Sequence, residues 1–311
     1  MNPGKGPRRD AELLLVVLFW AFNISVLKIC FVSMTPLAFN AVRFAGAAII
    51  LLLLTRVMEG TVHIARSDMG RVLVLSLVGH TVYQVVFVLG LDLTTASSAA
   101  LIFGATPIVV GILTWLTAHE RIGAAGSMGA ALAFAGVGLV TAGGEGPAQT
   151  VSLSNRLTGS LFVFSAVVCW SIYTVMSRDL LRRYSPLRVT AVTLSIGAVP
   201  LIALSIPDLK KQDWSAIPAL TWAGLAYSML FALVAAYILW YRSVRDVGNL
   251  RTAIYSNLVP VFGALSGVLI LGEKVTTGLL GGGVCIFAGI LLTRLGRSGG
   301  ASAARAERAG P

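Results

Sequence analysis

The side chains able to do chemistry are few, and they stand out against an apolar background. Lys28 and Arg43 are cations placed within long apolar stretches. Ionisable groups in such surroundings mark functional sites by default. Arg43, alone or with Lys28, offers a partner for an anionic group such as a carboxylate. The competing explanation is a long side chain that reaches an interface or pairs with carbonyls at a helix end, and Lys28, near the end of its stretch, fits that better. His80, Tyr83, Gln84 and Phe87 follow one another at spacings of three and four, so they share one helical face. His80 is the mid-stretch group expected to titrate near neutral pH. It suits a proton-coupled cycle, since no buried Asp or Glu is evident, and it equally suits a hydrogen bond to a neighbouring helix. Asn23, Trp170, Tyr173, Tyr237, Tyr255 and Asn257 supply the aromatic and amide groups typical of a pocket for a small amphipathic solute.

What is missing narrows the classes. There is no G-x-x-x-x-G-K-[ST] loop and no H-E-x-x-H, so neither nucleotide-driven pumping nor a zinc-dependent membrane protease is indicated. Cys30, Cys169 and Cys285 lack metal-ligand spacing. No cofactor or metal is expected. A membrane-embedded enzyme or a non-transporting scaffold is the alternative to a carrier.

These residues need elements to hold them, and composition says which. The 311 residues are 56% hydrophobic and 12% charged, with mean hydropathy +0.85. Soluble domains carry roughly 25% charged residues. Apolar runs of about 20 residues, the length that crosses a bilayer, recur throughout. They are too long and too continuously apolar for barrel strands. The expectation is an all-α integral membrane protein with ten transmembrane helices near 11–33, 36–56, 71–91, 95–117, 122–141, 157–178, 186–206, 217–241, 249–270 and 275–294. Residues 1–10 form a polar cytoplasmic tail, 143–156 a linker, and 295–311 a Gly/Ala/Ser/Arg-rich tail read as disordered. Basic residues alternate in density along the loops. Those at 5–9, 56–71, 121, 178–188, 242–251 and 294–308 fall on one side, against Arg156, Lys210, Lys211 and Lys274 on the other. The positive-inside bias therefore places both termini in the cytoplasm. It also accounts for the net charge of +11 without nucleic acid.

The chain repeats itself. Residues 96–139 align with 249–292 without a gap, setting Pro107 on Pro260, Glu120 on Glu273 and Phe134-Ala135-Gly136 on Phe287-Ala288-Gly289. Earlier, Trp20 aligns with Trp170, Asn23 with Tyr173, and Pro36-Leu37 with Pro186-Leu187. The two five-helix repeats, 11–142 and 157–294, are inverted because five is odd, a recurrent design of secondary transporters with the site between the halves. Pro107 and Pro260 interrupt the helical ladder and are candidate hinges of alternating access, or static kinks. Glu120 and Glu273 are read as structural, each favoured by the dipole of the helix that follows it. Gly129, Gly136, Gly278, Gly282 and Gly289 permit close helix contact within or between protomers, which leaves a homodimer open.

The duplicated segments around Trp20 and Trp170, the Pro36 and Pro186 helix starts, Arg43, and the proline helices ending at Glu120-Arg121 and Glu273-Lys274 resemble the drug/metabolite transporter superfamily, in its EamA-like branch of two tandem five-helix domains. The resemblance runs from about Glu12 to Arg294. It implies multi-pass residence in a bacterial inner membrane and export of small metabolites or drugs through a central cavity lined by the first four helices of each half. Helices five and ten would brace the outside.

Overall fold

The computed structural model describes residues 5–118, 124–143, 153–247, 255 and 258–307. Among them the chain is helical, with no strand. This follows from the solvent: lipid cannot satisfy peptide groups, so each spanning segment closes its own hydrogen bonds. Seven helices are long and apolar enough to cross a membrane, at 10–30, 36–59, 66–93, 96–113, 154–183, 186–211 and 219–243. Three shorter apolar helices, 128–143, 259–271 and 277–292, fall where the fifth, ninth and tenth spans are expected.

The first half comprises α1 (Lys5–Cys30), α2 (Pro36–Glu59), α3 (Met69–Ser76), α4 (Tyr83–Leu93), α5 (Ala96–Phe103), α6 (Thr106–Ala118) and α7 (Ala124–Gly143). The second comprises α8 (Leu153–Arg183), α9 (Pro186–Lys211), α10 (Ala219–Tyr227), α11 (Ala236–Val247), α12 (Val259–Leu271) and α13 (Thr277–Glu307). Helix starts follow local chemistry. Thr35 and Ser185 precede Pro36 and Pro186, and their hydroxyls accept from Ala38 N–H and Arg188 N–H, an N-cap followed by the proline best tolerated in a first turn.

Two rods are not plain α-helices. A π segment, Leu77–Val82, joins α3 to α4, and another, Ser228–Ala235, joins α10 to α11. Their closing bonds reach back five residues, Tyr83 N–H to Val78 O and Ala236 N–H to Phe231 O. Such insertions concentrate at functional sites.

The fourth expected span, 95–117, is two helices. Pro107 has no N–H and its ring excludes the carbonyl four residues earlier, so the ladder stops at Phe103. That carbonyl accepts the Thr106 hydroxyl instead at 2.6 Å. Pro260 likewise sits in the first turn of α12; most residues before it lie outside the described ones. The C-terminal helix continues past the expected limit of 294 to Glu307.

Residues of the two halves interleave. Helix α2 packs on α9, α4 on α8, α1 on α11 and α12, and α5 on α12. Helices α7 and α13 form a close pair. A Cβ on Gly282 would stand 2.6 Å from the Gly136 carbonyl oxygen, and one on Gly143 would stand 2.3 Å from Gly278 Cα. The glycines thus serve contact within one protomer.

Polar ties close each end of the bundle. At one end the buried Asp68 carboxylate accepts from Arg183 and Tyr184, both at 2.7 Å. Glu59 accepts from Ser185 and Arg188 beside it. At the other end Glu273 and Lys28 hold the same turn. The Glu273 carboxylate accepts from Ala96 N–H at 2.6 Å and Ser97 N–H at 2.8 Å. Lys28 Nζ donates to the Leu91 and Asp92 carbonyls at 3.0 and 3.2 Å.

Candidate functional site: a central aromatic cavity

A cavity of about 90 Å³ lies between the halves, lined from the interior of α1, α2, α4 and α8. One ordered water needs roughly 10–15 Å³ of such space, so a small solute with part of its hydration fits. Asn23, Arg43, Tyr83, Gln84, Trp170 and Tyr237 line it, all expected from the sequence. Phe103 and Thr106, which flank the break before Pro107, and Val259, next to Pro260, also border it. The interrupted α5/α6 helix therefore presents its break to the site, as discontinuous helices do in transporters, and the first turn of α12 borders the same space.

Arg43 is the charged centre. It is 1% exposed, and α2 positions it two turns from its start. Its Nη1 donates to Ser228 Oγ at 2.8 Å; its Nη2 donates to Asn40 Oδ1 at 2.6 Å and Gln84 Oε1 at 2.7 Å. The guanidinium lies 5.9 Å from the Phe39 ring centroid and 5.6 Å from that of Phe44. Its Nε has no partner. Among the described residues its partners are all neutral, so the charge is oriented and held but not neutralised. Ser228 opens the π segment of the other half, and this long-range contact is not readable from spacing.

Aromatic rings form the walls. Trp20 and Trp170, aligned by the repeat, meet edge to face at 5.9 Å. Trp20 Nε1 donates to the Ala232 carbonyl at 3.0 Å, inside a π segment. Tyr83 stacks on Phe87 at 5.9 Å and lies 5.5 Å from Trp170.

His80 and Tyr173 stand one layer behind the wall. His80 is fully buried in the first π segment, with Nε2 3.1 Å from Thr193 Oγ1 and Nδ1 unpartnered. Tyr173 OH is 3.2 Å from the same hydroxyl. Thr193 occupies the position in α9 that Arg43 occupies in α2. Tyr255 packs on the adjacent apolar cluster rather than bordering the cavity, and Asn257 lies outside the described residues.

Two expectations about carboxylates change. Buried acids do exist, namely Asp68 and Glu273. And Glu273 does not serve the helix after it: it caps α5, in the other half. The chain folds the end of α12 across the halves, which pairwise spacing does not reveal. Glu120 lies outside the described residues. Trp20 and Phe87 also line the cavity, in keeping with the alignment of Trp20 with Trp170 and the face Phe87 shares with Tyr83. Phe103 and Thr106 are not singled out by the sequence, and the place of Thr106 before Pro107 is the one available signal.

Fold and site together define a multi-pass helical membrane protein with a polar and aromatic cavity between its halves. The model of the EamA-like transporter family matches residues 11–142 and 157–295, and the chain belongs to that family. It is 30% identical to the uncharacterized transporter YyaM of Bacillus subtilis (strain 168), over 87% of each chain. It is 26% identical to an uncharacterized transporter of Archaeoglobus fulgidus, covering 90% of this chain and 96% of that one. A solved crystal structure shares the fold with a TM-score of 0.66 at 18% identity, covering 94% of this chain and 98% of the other.

Proposed function

We propose that this chain is a secondary active transporter and not an enzyme. It exports small amphipathic metabolites, amino acids or similar solutes, or drugs across a bacterial inner membrane by alternating access. In this reading ten spans form two inverted five-helix repeats with both termini in the cytoplasm, and Pro107 and Pro260 are the bending points. The charge bias of the loops supports that orientation. Contacts between repeat-matched elements, α2 with α9 and α7 with α13, support the two-half design.

One observation carries the reading. A buried guanidinium, held by three neutral side chains, borders a cavity between the halves. A charge in low dielectric without a counter-ion is costly. An incoming anionic group lowers that cost, so the site binds the anionic end of a solute. His80, with a free ring nitrogen one layer behind the wall, is the candidate for proton coupling.

Solute counterflow in proteoliposomes tests this, with a panel of amino acids, nucleosides and cationic dyes, with and without a pH gradient. Saturable exchange of one class is expected, reduced at least about tenfold by Arg43→Ala and by less in Gln84→Ala, in line with the larger stake of a charged hydrogen-bonding group. Unaltered exchange in Arg43→Ala sinks the site, and no exchange of any solute by folded protein sinks the carrier.

A further inference from the structure

The cavity holds more information than one cation. Its rings form a continuous series. Tyr237 lies 6.2 Å from Trp20 and 5.9 Å from Trp170. Trp170 leads to Tyr83, Tyr83 to Phe87, and Phe87 meets Phe103 edge-on at 5.5 Å. Several of these contacts join the two halves, so the series crosses the plane on which access must change. Against it stands a single charge, Arg43. Among the described lining residues there is no carboxylate.

Three chemical consequences follow. An anionic oxygen pair finds Arg43. A flat unsaturated body finds ring faces and edges, and each such pair contributes about 0.5–1.5 kcal/mol beyond its buried area. A second cationic group finds no acid to accept it and is repelled by the guanidinium across a low-dielectric space. Cation–π attraction to the same rings favours such a group, but Arg43 already places a positive charge at this site.

We infer that the cavity selects monoanionic aromatic acids, one carboxylate on an aryl-bearing chain, over zwitterions and over saturated acids of the same size. This rests on the reading of Arg43 as the anion anchor and narrows it: among amphipathic solutes, the aryl monocarboxylates rank above the amino acids.

A matched series tests it. 3-Phenylpropanoate, phenylalanine, 3-cyclohexylpropanoate and 3-phenylpropanamide share one skeleton and differ by an ammonium, by aromaticity and by charge. Binding is read from the fluorescence of Trp20 and Trp170 in purified protein, and transport from counterflow of labelled 3-phenylpropanoate in proteoliposomes near neutral pH. Each of the other three compounds is expected to compete at least about tenfold more weakly, a discrimination within reach of pocket contacts. Trp170→Leu is expected to shrink the aryl-over-cyclohexyl ratio while the acid-over-amide ratio stands. Arg43→Gln is expected to abolish the acid-over-amide ratio, with a cooperative melt confirming that it is folded. The wild-type series decides the matter even if a variant does not fold. Phenylalanine or the cyclohexyl acid competing as well as 3-phenylpropanoate overturns this inference and leaves the anion anchor intact. Equal competition by acid and amide overturns the anchor as well. An absence of binding by the whole series overturns the inference and leaves the carrier to be judged by its own panel.

Discussion

Arg43 and Asp68 are buried charges held in opposite ways. Arg43 keeps its charge among amides, a hydroxyl and ring faces, whereas Asp68 is matched by the Arg183 guanidinium at 2.7 Å. Tyr184 OH joins the second arrangement twice, donating to Asp68 and accepting from Ala65 N–H at 3.1 Å. Tyr184→Phe removes both bonds and leaves a buried carboxylate oxygen short of a donor. Thermal unfolding in detergent should show a loss of about 1–3 kcal/mol, with exchange activity retained in the folded fraction. Intramembrane scarcity made Arg43 legible in the sequence, and helical spacing put Tyr83 and Gln84 on one face. Asp68 was not legible, because an acid in a short polar connection reads as solvated until its partner, more than a hundred residues away, is known.

At the scale of elements, periodicity located the helices but not their irregularities. The α5/α6 break was half visible: Pro107 announced a disturbance, but not that Thr106 would satisfy the freed carbonyl and let the helix end outright. The π segments carry no proline or glycine pattern that distinguishes them from ordinary apolar helix. Glu273 ties two elements that the sequence separates. Its carboxylate satisfies the first amides of α5, and a Cβ on Gly267 would stand 2.6 Å from Glu273 Oε2. Glu273→Gln keeps one acceptor and loses the charge. It should cost about 1–2 kcal/mol in thermal stability, as the loss of a helix cap does, and increase hydrogen exchange at Ala96 and Ser97. The α7/α13 pair is tighter still. Gly282→Val drives two methyl groups into the α7 backbone at Gly136 and Val140. Overpacking of this kind costs about 1–3 kcal/mol, so a lowered melting temperature is expected, with the Trp20 and Trp170 fluorescence response to ligand preserved below it.

At the scale of the molecule, the duplication was plain in the sequence because matched residues sit in matched order, and the structure brings several of them face to face. Trp20 meets Trp170, and α2 meets α9. What the duplication hid is chemical difference. Position for position, the first half offers a guanidinium where the second offers the Thr193 hydroxyl, bonded to its own Val189 carbonyl at 2.7 Å. The halves agree in path and differ in charge, so the cavity is not symmetric in what it attracts.

In the proposed export cycle, that single unmatched charge sets an electrical sign. With the site empty, the mid-depth of the bilayer carries one positive charge; with a monoanion aboard, the pair is neutral. A full crossing of the field is worth about 2.3 kcal/mol per charge per 100 mV, and a mid-depth group feels a fraction of that. An interior-negative membrane potential therefore acts on the return of the vacant carrier, drawing its charge inward, and leaves the laden step almost untouched. Net export in proteoliposomes should quicken under an imposed interior-negative potential, while one-for-one exchange should not respond. Equal sensitivity of the two would mean that the moving charge is not Arg43.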